Sequence, residues 1–506
     1  MKMAELIRGL DVVAAVGDLG SDVVDICYDS RRCREGSLFV AVPGLKHDGH
    51  DYVGQALSNG ATGVVLEKET AVPVGVAVVR VRDSRRALGL LGQRFFRNPS
   101  SSLCIAGVTG TSGKTTLTFL LESILREAGS NVGVLGTVNY RFDGKTMPAP
   151  NTTPESLDLQ RILRKMADSG VQKVVMEVSS HALAQRRVDD CEFDIGVFTN
   201  LSSEHMDYHK TMEDYFLAKR RLFDTLLDGR KGNRKWRMVV NVDDPWGKRL
   251  LREVGAKAVT FGMDRAADVK GEEASFFLDG IRATVKTPAG RVMIRSELIG
   301  RFNLSNILAA VAASYVLDVP MEAVEAGVRK ATGIPGRLEK VGDDGDPFVF
   351  VDYAHKEAAL REVMKNLSPF KKGRLITVFG CGGDRDRQKR PLMGKVAVAL
   401  SEITILTSDN PRSEDPLEII REIEKGINSG AARKLEKDAL ERNFDRGYLV
   451  IPDRRDAIEF AVRLARRDDI VLIAGKGHET YQIIGDRTIP FDDREVVREA
   501  LASRRR

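Results

Sequence analysis

The sequence predicts an α/β protein of three domains, in which parallel sheets are covered by helices. The chain has 506 residues, too many for one hydrophobic core. Two stretches rich in Gly, Pro or Ser interrupt it, "RNPSSS" at 97–102 and "GIPGR" at 333–337. Elsewhere, apolar runs of strand length alternate with amphipathic helical segments, the pattern of parallel sheets. We therefore predict domains at 1–100, 101–334 and 335–506.

Composition and charge argue against several classes of protein. With 78 basic and 72 acidic side chains the net charge is only +6, so no strong field indicates nucleic acid or membrane as a partner. No apolar run is long enough to cross a bilayer, and "MKMAELIRGL" is typical of a short amphipathic helix rather than a signal peptide. The five cysteines are scattered and contain no CxxC, which argues against a zinc site or disulfides and for a reducing compartment. We expect a cytoplasmic monomer with no membrane insertion.

Strand candidates occur throughout the last two segments. In the middle segment they are "LCIAGVT", "NVGVLGTV", "KVVMEVS" and "DIGVFTN", and in the last they are "FVFVDYAH", "RLITVFGCGG", "EITILTSDNP" and "DIVLIAGKGHE". Those of the last segment end in polar or glycine-bearing loops. Because open parallel sheets bind ligands beyond the carboxyl ends of their strands, we expect the functional residues there.

The stretch "GVTGTSGKTT" predicts a phosphate-binding loop. Gly107, Gly113, Lys114 and Thr115 fit G-x-x-x-x-G-K-[ST] between a strand and the helical run "TTLTFLLESILREAG". Backbone amides would curl around phosphate oxygens, Lys114 would meet the outer phosphates, and the Thr115 hydroxyl could bind Mg²⁺. The other reading is a glycine-rich turn with a surface lysine. A bound triphosphate alone could serve a motor, a kinase, a switch or a ligase.

Glu177 and a histidine pair are candidate metal ligands. Glu177 interrupts the apolar strand "KVVMEVS", and a buried carboxylate needs a cationic partner, for which magnesium beside the triphosphate is a candidate. The other reading is a hydrogen-bonded structural glutamate. His205 and His209, in "NLSSEHMDYH", lie four residues apart without the Glu of a metalloprotease motif, so the pair could equally be structural.

Lys219 is predicted to point inward. In "EDYFLAKRRLFDTLL" it lies on the same helical stripe as Phe216, Phe223 and Leu226. A lysine that faces a core must be paired, neutral or chemically altered. Its ammonium would repel Mg²⁺, whereas a carbamate formed with CO₂ would be an anionic oxygen ligand. We therefore hypothesise that carbamylated Lys219 holds a second magnesium with Glu177 and His205; the alternative is a lysine that snorkels to solvent.

Taken together, the motifs resemble the Mur ligase family of peptidoglycan synthesis. They run in family order over nearly the whole chain: "GVTGTSGKTT", "NTTPE", "EVSSHAL", "NLSSEHMDYH", "AKRRLF", "GRFNLSN", "PGRLE", "DYAH", "GCGGDRD", "DNPR" and "GKGHE". The resemblance is strongest to the members that add the third peptide residue. It implies an N-terminal UDP-binding domain, a central P-loop ATPase domain and a C-terminal Rossmann-like domain. It also implies an ATP-dependent ligation in which the carboxylate of UDP-MurNAc-L-Ala-D-Glu becomes an acyl phosphate that an incoming amine attacks.

The resemblance also implies roles for particular residues. The metal and catalytic group would be Lys114, Thr115, Glu177, His205 and Lys219. The ATP contacts would be Gly110, Thr111, Gly113, Lys114, Thr115, Thr116, Asn303, Arg337, Asp352 and His355. The UDP-muramoyl dipeptide contacts would be Ser30, Thr152, Thr153, Ser179, Gln185 and Arg187. ATP, two Mg²⁺ ions and CO₂ as the lysine carbamate are the implied cofactors.

Two positions depart from the family pattern. Ser112 stands where members often have Asn, and both residues are small and polar. After "DYAH", Lys356-Glu357-Ala358 replaces the usual Thr-Pro-Asp, which puts the local nucleotide contacts in doubt but not the reaction class. We expect Lys356 to face solvent, with a phosphate contact as the alternative.

The loop "SDNPRSEDP" indicates which amino acid is added. In the family, Asp-Asn-Pro-Arg accompanies meso-diaminopimelate, and the distal carboxylate of that amino acid could take a bidentate fork from Arg412. Lysine lacks the carboxylate and would leave Arg412 unpaired. The alternative is that Arg412 only tethers the turn through a backbone carbonyl. The implied diaminopimelate contacts are Arg385, Asp409, Asn410, Pro411, Arg412, Gly475 and Glu479.

Three competing readings remain open. The first is the same reaction with L-lysine, and the second is a related ligase that adds a dipeptide or makes folyl-polyglutamate. Arg412 and the UDP-type N-terminal segment argue against both. The third is a nucleotide-gated binding protein without ligase chemistry, which the intact set Lys114, Glu177, His205 and Lys219 disfavours. "GCGG" lacks the third glycine of a dinucleotide fingerprint, so a nicotinamide site is not expected.

Overall fold

The structure is a computed structural model of the whole chain. It describes residues 1–44, 47–227, 238–255, 257–343, 346–427, 432–436 and 446–505. The chain divides into two compact units. The first consists of Met1–Glu272, Thr284–Met293 and Ser305–Val328, and the second of Glu273–Ala283, Ile294–Leu304 and Arg329–Arg506.

The first unit begins with a five-stranded sheet of order β1-β5-β4-β3-β2. Strands β2 to β5 pair in parallel, and β1 runs antiparallel to β5. The elements of this part are α1 (Met3–Leu6), β1 (Val12–Val16), β2 (Asp25–Cys27), β3 (Ser37–Val40), α2 (Val53–Ser58), β4 (Ala61–Leu66), β5 (Ala77–Val81) and α3 (Ser84–Phe95). Short 3-10 helices at Ser30–Arg32, Gly49–Tyr52 and Pro99–Ser102 connect them.

The middle of the chain forms a second, mainly parallel sheet. Its parallel strands follow the order β13-β12-β11-β6-β10-β7, and β8 and β9 extend it antiparallel beyond β7. The elements are β6 (Cys104–Thr109), α4 (Lys114–Glu127), β7 (Val132–Leu135), β8 (Tyr140–Phe142), β9 (Lys145–Met147), α5 (Ser156–Asp168), β10 (Lys173–Glu177), α6 (Ser180–Ala184), β11 (Ile195–Phe198), α7 (Met206–His209), α8 (Met212–Leu227), β12 (Met238–Asn241), α9 (Pro245–Val254) and β13 (Ala258–Gly262). They are followed by β14 (Val269–Phe277), β15 (Gly280–Thr287), β16 (Gly290–Ser296), α10 (Arg301–Val316) and α11 (Met321–Lys330).

The second unit contains a six-stranded sheet of order β17-β18-β22-β19-β20-β21, in which only the β17–β18 pair is antiparallel. Its elements are β17 (Glu339–Val341), β18 (Phe348–Asp352), α12 (Glu357–Leu367), β19 (Leu375–Phe379), α13 (Lys389–Leu400), β20 (Ile403–Leu406), α14 (Pro416–Glu424), β21 (Gly447–Val450), α15 (Arg454–Leu464), β22 (Ile470–Ala474) and α16 (Asp493–Arg504). A separate antiparallel hairpin is formed by β23 (Tyr481–Ile484) and β24 (Arg487–Pro490).

Local sequence explains where these elements begin and what they bury. The central strands are continuous apolar runs, because helices cover both faces of a parallel sheet and every side chain of β11, β12, β19 and β22 is buried. Helix α9 starts where the Asp244 carboxylate accepts from two backbone amides and Pro245 takes the first position. Asp453 caps α15 in the same way, by accepting from Asp456 N.

The predicted fold class is confirmed, and so are all eight predicted strands of the middle and last segments. The domain boundaries near residues 100 and 334 remain predictions. One expectation is wrong: Cys27 and Cys33 form a disulfide. The spacing of the cysteines along the sequence did not reveal this pair. The turn through the 3-10 helix at Ser30–Arg32 brings the two cysteines together, with Cα atoms 5.9 Å apart. Over the described residues, no helix is both long enough and apolar enough to span a membrane.

Candidate active site

Four parallel strands end together and place the predicted catalytic residues at one edge of the middle sheet. Glu177 at the end of β10 is in register with Val108 of β6, and Phe198 at the end of β11 is in register with Thr109. The loops that follow β6, β7 and β11 therefore meet beside Glu177. They carry the phosphate loop, Thr137 and the segment 199–202.

The phosphate loop has the backbone that its glycines predict. Gly113 has a φ of +89°, and a Cβ there would lie 2.3 Å from Asn306 Oδ1, so only glycine fits. Lys114 starts α4, and its ammonium donates to the carbonyl oxygens of Gly110 (2.9 Å) and Thr111 (2.8 Å). Thr115 and Thr116 are buried in the first turn of α4. The loop thus combines a helix N-terminus with a cation, the arrangement that binds phosphate.

A clasp from the loop after β11 holds the phosphate loop, and the sequence analysis did not identify it. The Asn200 side chain accepts from Ser112 N (2.9 Å) and donates to Ser112 O (3.2 Å). Thr199 Oγ1 also donates to Ser112 O (2.7 Å), and Thr111 N donates to Asn200 O (2.8 Å). The sequence did contain a signal for this contact, because a threonine and an asparagine follow a buried strand at the edge where the phosphate loop lies.

Lys219 faces the phosphate loop from α8. Its side chain is 1% exposed, and Phe216, Phe223 and Leu226 are buried with it, which confirms the predicted stripe. The Lys219 amine donates to Gly110 O (2.9 Å), the same carbonyl that Lys114 contacts. Burial, and next the charge of Lys114, lower the pKa of Lys219 well below its usual value, against a smaller opposing effect of Glu204. Burial and the neighbouring Lys114 therefore both disfavour the protonated form of this amine.

Glu177 is held by Thr137, a second residue that the sequence analysis missed. Glu177 is 1% exposed. Its Oε1 accepts from Thr137 N (2.9 Å) and its Oε2 from the Thr137 hydroxyl (3.0 Å). The same hydroxyl lies 3.1 Å from Thr152 Oγ1, so Thr137 links the carboxylate to a predicted dipeptide contact. Glu177 thus has the hydrogen bonds expected of a structural glutamate. These two bonds leave further lone pairs of the carboxylate for a cation.

The two histidines occupy different environments. His205 has a left-handed backbone (φ +59°), and its side chain is 38% exposed. His209 is buried, its Nε2 lies 2.9 Å from Ser180 Oγ, and burial lowers its pKa to about 4. The His181 ring makes edge-to-face contacts with both, with ring centroids 4.7 Å from His205 and 5.5 Å from His209. His209 is a neutral packing residue, whereas His205 keeps an accessible ring.

The predicted magnesium ligands fit the ion only in part. Thr115 and Glu177 supply the oxygen donors that Mg²⁺ prefers, but His205 supplies an imidazole and Lys219 a nitrogen. Within the described ranges, no group of three or more His, Cys, Asp or Glu side chains is arranged to hold a metal. An additional anionic oxygen at Lys219 would complete an oxygen-rich set.

Most of the predicted dipeptide contacts form one hydrogen-bonded group beside Glu177. The Thr153 hydroxyl donates to Glu177 O (2.8 Å) and accepts from Ser179 N (3.0 Å). Arg187 donates to Gln185 Oε1 (2.7 Å) and to Thr153 O (3.2 Å). The structure thus brings together Thr152, Thr153, Ser179, Gln185 and Arg187. Ser30 lies apart on its 3-10 helix, where its hydroxyl donates to Gln55 Oε1 (2.7 Å).

The remaining predicted nucleotide contacts lie in the second unit. Asn303 is buried and donates to Ile299 O (2.9 Å). Asp352 accepts from the amides of Leu338 (2.7 Å) and Ala354 (2.8 Å), and burial raises its pKa to about 6. The Arg337 guanidinium lies 5.1 Å from the Tyr353 ring centroid, and His355 Nδ1 lies 2.8 Å from Tyr353 O. Lys356, at the departure from the family pattern, occupies the position before α12 without a side-chain capping hydrogen bond and is half-buried.

The predicted acceptor residues meet at the carboxyl edge of the six-stranded sheet. Asp409 to Arg412 follow β20, and Gly475 follows β22. Gly475 has a φ of +115°, and a Cβ there would lie 2.6 Å from Asp409 Oδ2. A Cβ on Gly382 would lie 2.9 Å from Arg412 Nη1 and 3.7 Å from Arg385 Cγ, so both arginines flank that glycine.

Arg412 makes the backbone contact that was the alternative reading. Its Nη1 donates to Gly383 O (2.8 Å), and its backbone is left-handed, with a φ of +52°. That bond engages one nitrogen of a guanidinium with five N–H donors, so the tether does not exclude carboxylate binding. Pro411 O accepts from Glu414 N (3.1 Å), which closes the turn.

Four charged residues of the acceptor region act electrostatically on the Tyr481 phenol. Burial raises its pKa, and Glu479 and Asp409 raise it further, whereas Arg412 and Arg385 lower it. Both acidic and basic predicted residues of the second unit therefore influence one phenol, and recognition of an amino-acid head group requires both signs of charge. The Lys476 ammonium lies 5.5 Å from the Tyr481 ring centroid, and the sequence analysis identified neither of these two residues.

Three family models match the chain in order. They are "Mur ligase family, catalytic domain" at residues 23–96, "Mur ligase middle domain" at 108–314 and "Mur ligase, glutamate ligase domain" at 336–477. The chain belongs to the Mur ligase family. Among its curated relatives, the UDP-N-acetylmuramoyl-L-alanyl-D-glutamate--2,6-diaminopimelate ligase of Geobacter metallireducens is 48% identical over 502 residues, which is 99% of this Mur ligase and 98% of the relative. The protein of that name from Caldanaerobacter subterraneus is 42% identical over 502 residues, 99% of each chain.

Solved structures of Mur ligases share the fold. A structure titled as a UDP-N-acetylmuramoyl-L-alanyl-D-glutamate--2,6-diaminopimelate ligase superposes with a TM-score of 0.69 at 32% identity, covering 100% of this Mur ligase and 99% of that chain. A MurF ligase from Thermotoga maritima in complex with ADP gives a TM-score of 0.62 at 19% identity, over 97% and 99% of the two chains. The second likeness supports the fold alone.

Proposed function

We propose that this Mur ligase joins meso-diaminopimelate to UDP-MurNAc-L-Ala-D-Glu, with ATP converted to ADP and phosphate. The observation that carries the proposal is the full-length likeness to diaminopimelate ligases, at 48% identity over 99% of the chain. Two observations support the choice of acceptor: Arg385 and Arg412 both flank Gly382, and their charges act with that of Glu479 on the Tyr481 phenol. Formation of the UDP-MurNAc-tripeptide from the three substrates, followed by mass spectrometry, tests it, and absence of that product would refute it.

The phosphate loop would bind ATP and stabilise the negative charge of its outer phosphates. Lys114 now donates to two loop carbonyls, and it would exchange these for phosphate oxygens when ATP binds. The substrate carboxylate and the γ-phosphate are both anions, so their approach must be offset by fixed positive charge. Lys114 and the start of α4 supply part of it, and Mg²⁺ at Thr115 and Glu177 would neutralise the rest.

Two bonds are exchanged in sequence. The D-glutamyl carboxylate oxygen attacks the γ-phosphorus, and the bond to ADP breaks, which leaves an acyl phosphate. The amine of diaminopimelate then attacks the acyl carbon, loses a proton, and phosphate leaves as the amide forms. Because a free carboxylate is a poor electrophile, the first step is what makes the second possible.

Lys219 would take part as its carbamate. The neutral amine attacks the carbon of CO₂, an N–C bond forms and a proton is released, so the side chain becomes anionic. The low pKa of Lys219 supports this step, since only the uncharged amine is nucleophilic. With Glu177 and His205, the carbamate would hold a second Mg²⁺.

The carbamate is directly measurable. With ¹³C-labelled CO₂, the wild-type protein should give a carbamate ¹³C NMR signal that is absent from Lys219→Ala. His205→Ala, which leaves the amine in place, is the matched control and should keep the signal. A spectrum without a difference between wild type and Lys219→Ala would remove the carbamate from the proposal.

The other substrate groups are assigned by the same proposal. The muramoyl dipeptide would meet Thr152, Thr153, Ser179, Gln185 and Arg187, and the UDP part would meet Ser30. Asn303, Arg337, Asp352 and His355 would contact the nucleotide. Asp409, Asn410, Pro411, Arg412, Arg385, Gly475 and Glu479 would hold the acceptor, with the distal carboxylate on Arg412 and the distal ammonium on Glu479.

We also propose that the enzyme works as a monomer in the cytoplasm, without nucleic-acid or membrane partners. Its substrates are nucleotide-linked small molecules, and the net charge of +6 provides no strong field for a polyanion.

A further inference from the structure

Lys476, in the loop after β22, is a wholly buried cation with two partners. Its side chain is 0% exposed. Its ammonium donates to Glu479 Oε2 (3.1 Å) and to Asn410 Oδ1 (3.2 Å). Burying an ammonium costs free energy unless the group is paired and hydrogen-bonded. Here both partners of the ammonium are predicted contacts of the acceptor.

Asn410 and Glu479 are also joined to each other. Asn410 Nδ2 donates to Glu479 Oε2 (2.9 Å), so that oxygen accepts from both Asn410 and Lys476. Ile483 N donates to Asn410 Oδ1 (2.9 Å), which the Lys476 ammonium also contacts. The two donors converge on Oε2, so Oε1 of the 18% exposed Glu479 side chain is left for a ligand cation.

The hairpin of β23 and β24 completes this arrangement. Gln482 Nε2 donates to Asp409 O (2.7 Å), Arg412 N donates to Ile483 O (3.1 Å), and Gly485 N donates to Arg412 O (2.7 Å). Asn410 Oδ1 lies between the Lys476 ammonium and the hairpin backbone. One lysine thus connects the acceptor loop, the glycine-bearing loop after β22 and the hairpin.

We propose that Lys476 is a positioning residue for the distal amino-acid head of the acceptor. It fixes Oε2 of Glu479 and so directs Oε1 at the distal ammonium. It also holds Asn410 in the orientation that leaves Arg412 beside Gly382 for the distal carboxylate. The inference rests on the proposed acceptor and deepens it, since Lys476 acts through Glu479 and does not itself touch the substrate.

Steady-state kinetics with separate acceptor titrations test this role. Lys476→Met keeps the length of the side chain and removes its charge. Truncating one partner of a buried hydrogen-bonded charge pair predicts a rise of about 30-fold or more in KM for diaminopimelate. The kcat at saturating acceptor and the KM for ATP should stay near wild type.

The matched control is Arg374→Met, which breaks the buried Arg374–Asp469 ion pair (2.7 Å) at the opposite edge of the same sheet. It should lower the melting temperature without changing KM.

A double-mutant cycle with Glu479→Gln separates positioning from general destabilisation. If Lys476 acts through Glu479, the double variant should have a KM close to that of Glu479→Gln alone. Additive effects, or an unchanged KM for diaminopimelate in Lys476→Met, would overturn the inference while leaving the proposed reaction intact. A wild-type enzyme that does not respond to diaminopimelate would overturn both. If Lys476→Met does not fold, Lys476→Gln replaces it, and wild-type KM or failure to fold in that variant would show a structural role only.

Discussion

The Thr137 hydroxyl joins two groups that the sequence assigned to different parts of the reaction. It donates to the Glu177 carboxylate and lies beside Thr152. Glu177 could be predicted because a charge interrupts an apolar strand, whereas a threonine after a strand carries no such signal. Its role depends on the register that places the end of β7 beside the end of β10.

Replacing Thr137 with valine should impair the chemical step more than substrate binding. Thr137→Val removes the hydroxyl bond to Glu177 and keeps the volume. Mutating a residue that hydrogen-bonds to a metal ligand typically lowers metal affinity or activity by about 10- to 100-fold. We therefore expect kcat to fall by about that factor. Thr137→Ser, which keeps the hydroxyl, should stay close to wild type in the same assay. Equal kcat values for Thr137→Val and Thr137→Ser would contradict the role.

Asp352 makes the stability of the second unit depend on pH. Burial raises its pKa to about 6, above the value of about 3.9 for a solvated Asp, so the fold favours the neutral acid. The contribution of Asp352 to the stability of the fold is therefore complete below about pH 4 and is lost as the pH rises through 6. The difference between a pKa of about 6 and one of about 3.9 corresponds to about 3 kcal/mol of unfolding free energy. His478, whose pKa burial lowers to about 4, acts in the opposite direction over that range.

Comparing wild type with Asp352→Asn isolates this group from His478. The asparagine resembles the neutral acid at every pH. We expect wild type to lose stability relative to Asp352→Asn between pH 4 and 7, measured as unfolding free energy by denaturant titration. A constant difference across that range would show that Asp352 has an ordinary pKa.

At the scale of elements, the strands and helices were predictable because their apolar patterns are long and bounded by turn residues. The inward stripe of α8, and with it the burial of Lys219, followed from helical periodicity alone. The Asn200 clasp, the Lys476 network and the Cys27–Cys33 disulfide were not predictable, because each depends on which loops the fold brings together.

The clasp on the phosphate loop should set nucleotide affinity. Asn200→Ala removes two hydrogen bonds to Ser112, and a loss of about 1–2 kcal/mol predicts roughly a tenfold weaker Kd for ADP. Isothermal titration calorimetry measures this directly. Asn131→Ala, at a loop on the opposite edge of the same sheet, should bind ADP as wild type does. Unchanged affinity in Asn200→Ala would mean that the loop needs no clasp.

The acceptor loop should set the choice between diaminopimelate and lysine. Arg412→Ala removes the fork for the distal carboxylate, and a site built for such a group rejects analogues without it by roughly 10⁴-fold. We therefore expect the ratio of kcat/KM for diaminopimelate to that for lysine to collapse. Arg412→Lys keeps the charge without the fork and should recover little of the preference. An unchanged ratio in Arg412→Ala would reduce Arg412 to the tether on Gly383.

At the scale of the whole molecule, the ordered set of motifs determined both the family and the reaction class before any geometry was known. Sequence could assign residues to substrates only one motif at a time, because the groups that share a substrate lie far apart in the chain. Ser30 and Arg187 are one such pair. The two compact units each contain a parallel sheet whose carboxyl edge carries predicted ligands, one set for phosphate and one for the acceptor.

ADP release by the wild-type enzyme is the most direct test of this division of labour. Magnesium, ATP and the UDP-muramoyl dipeptide are held constant, and diaminopimelate, lysine or no amine is added. The account predicts rapid release with diaminopimelate, release lower by orders of magnitude with lysine, and little without an amine. Equal release under all three conditions, or none under any, would contradict it.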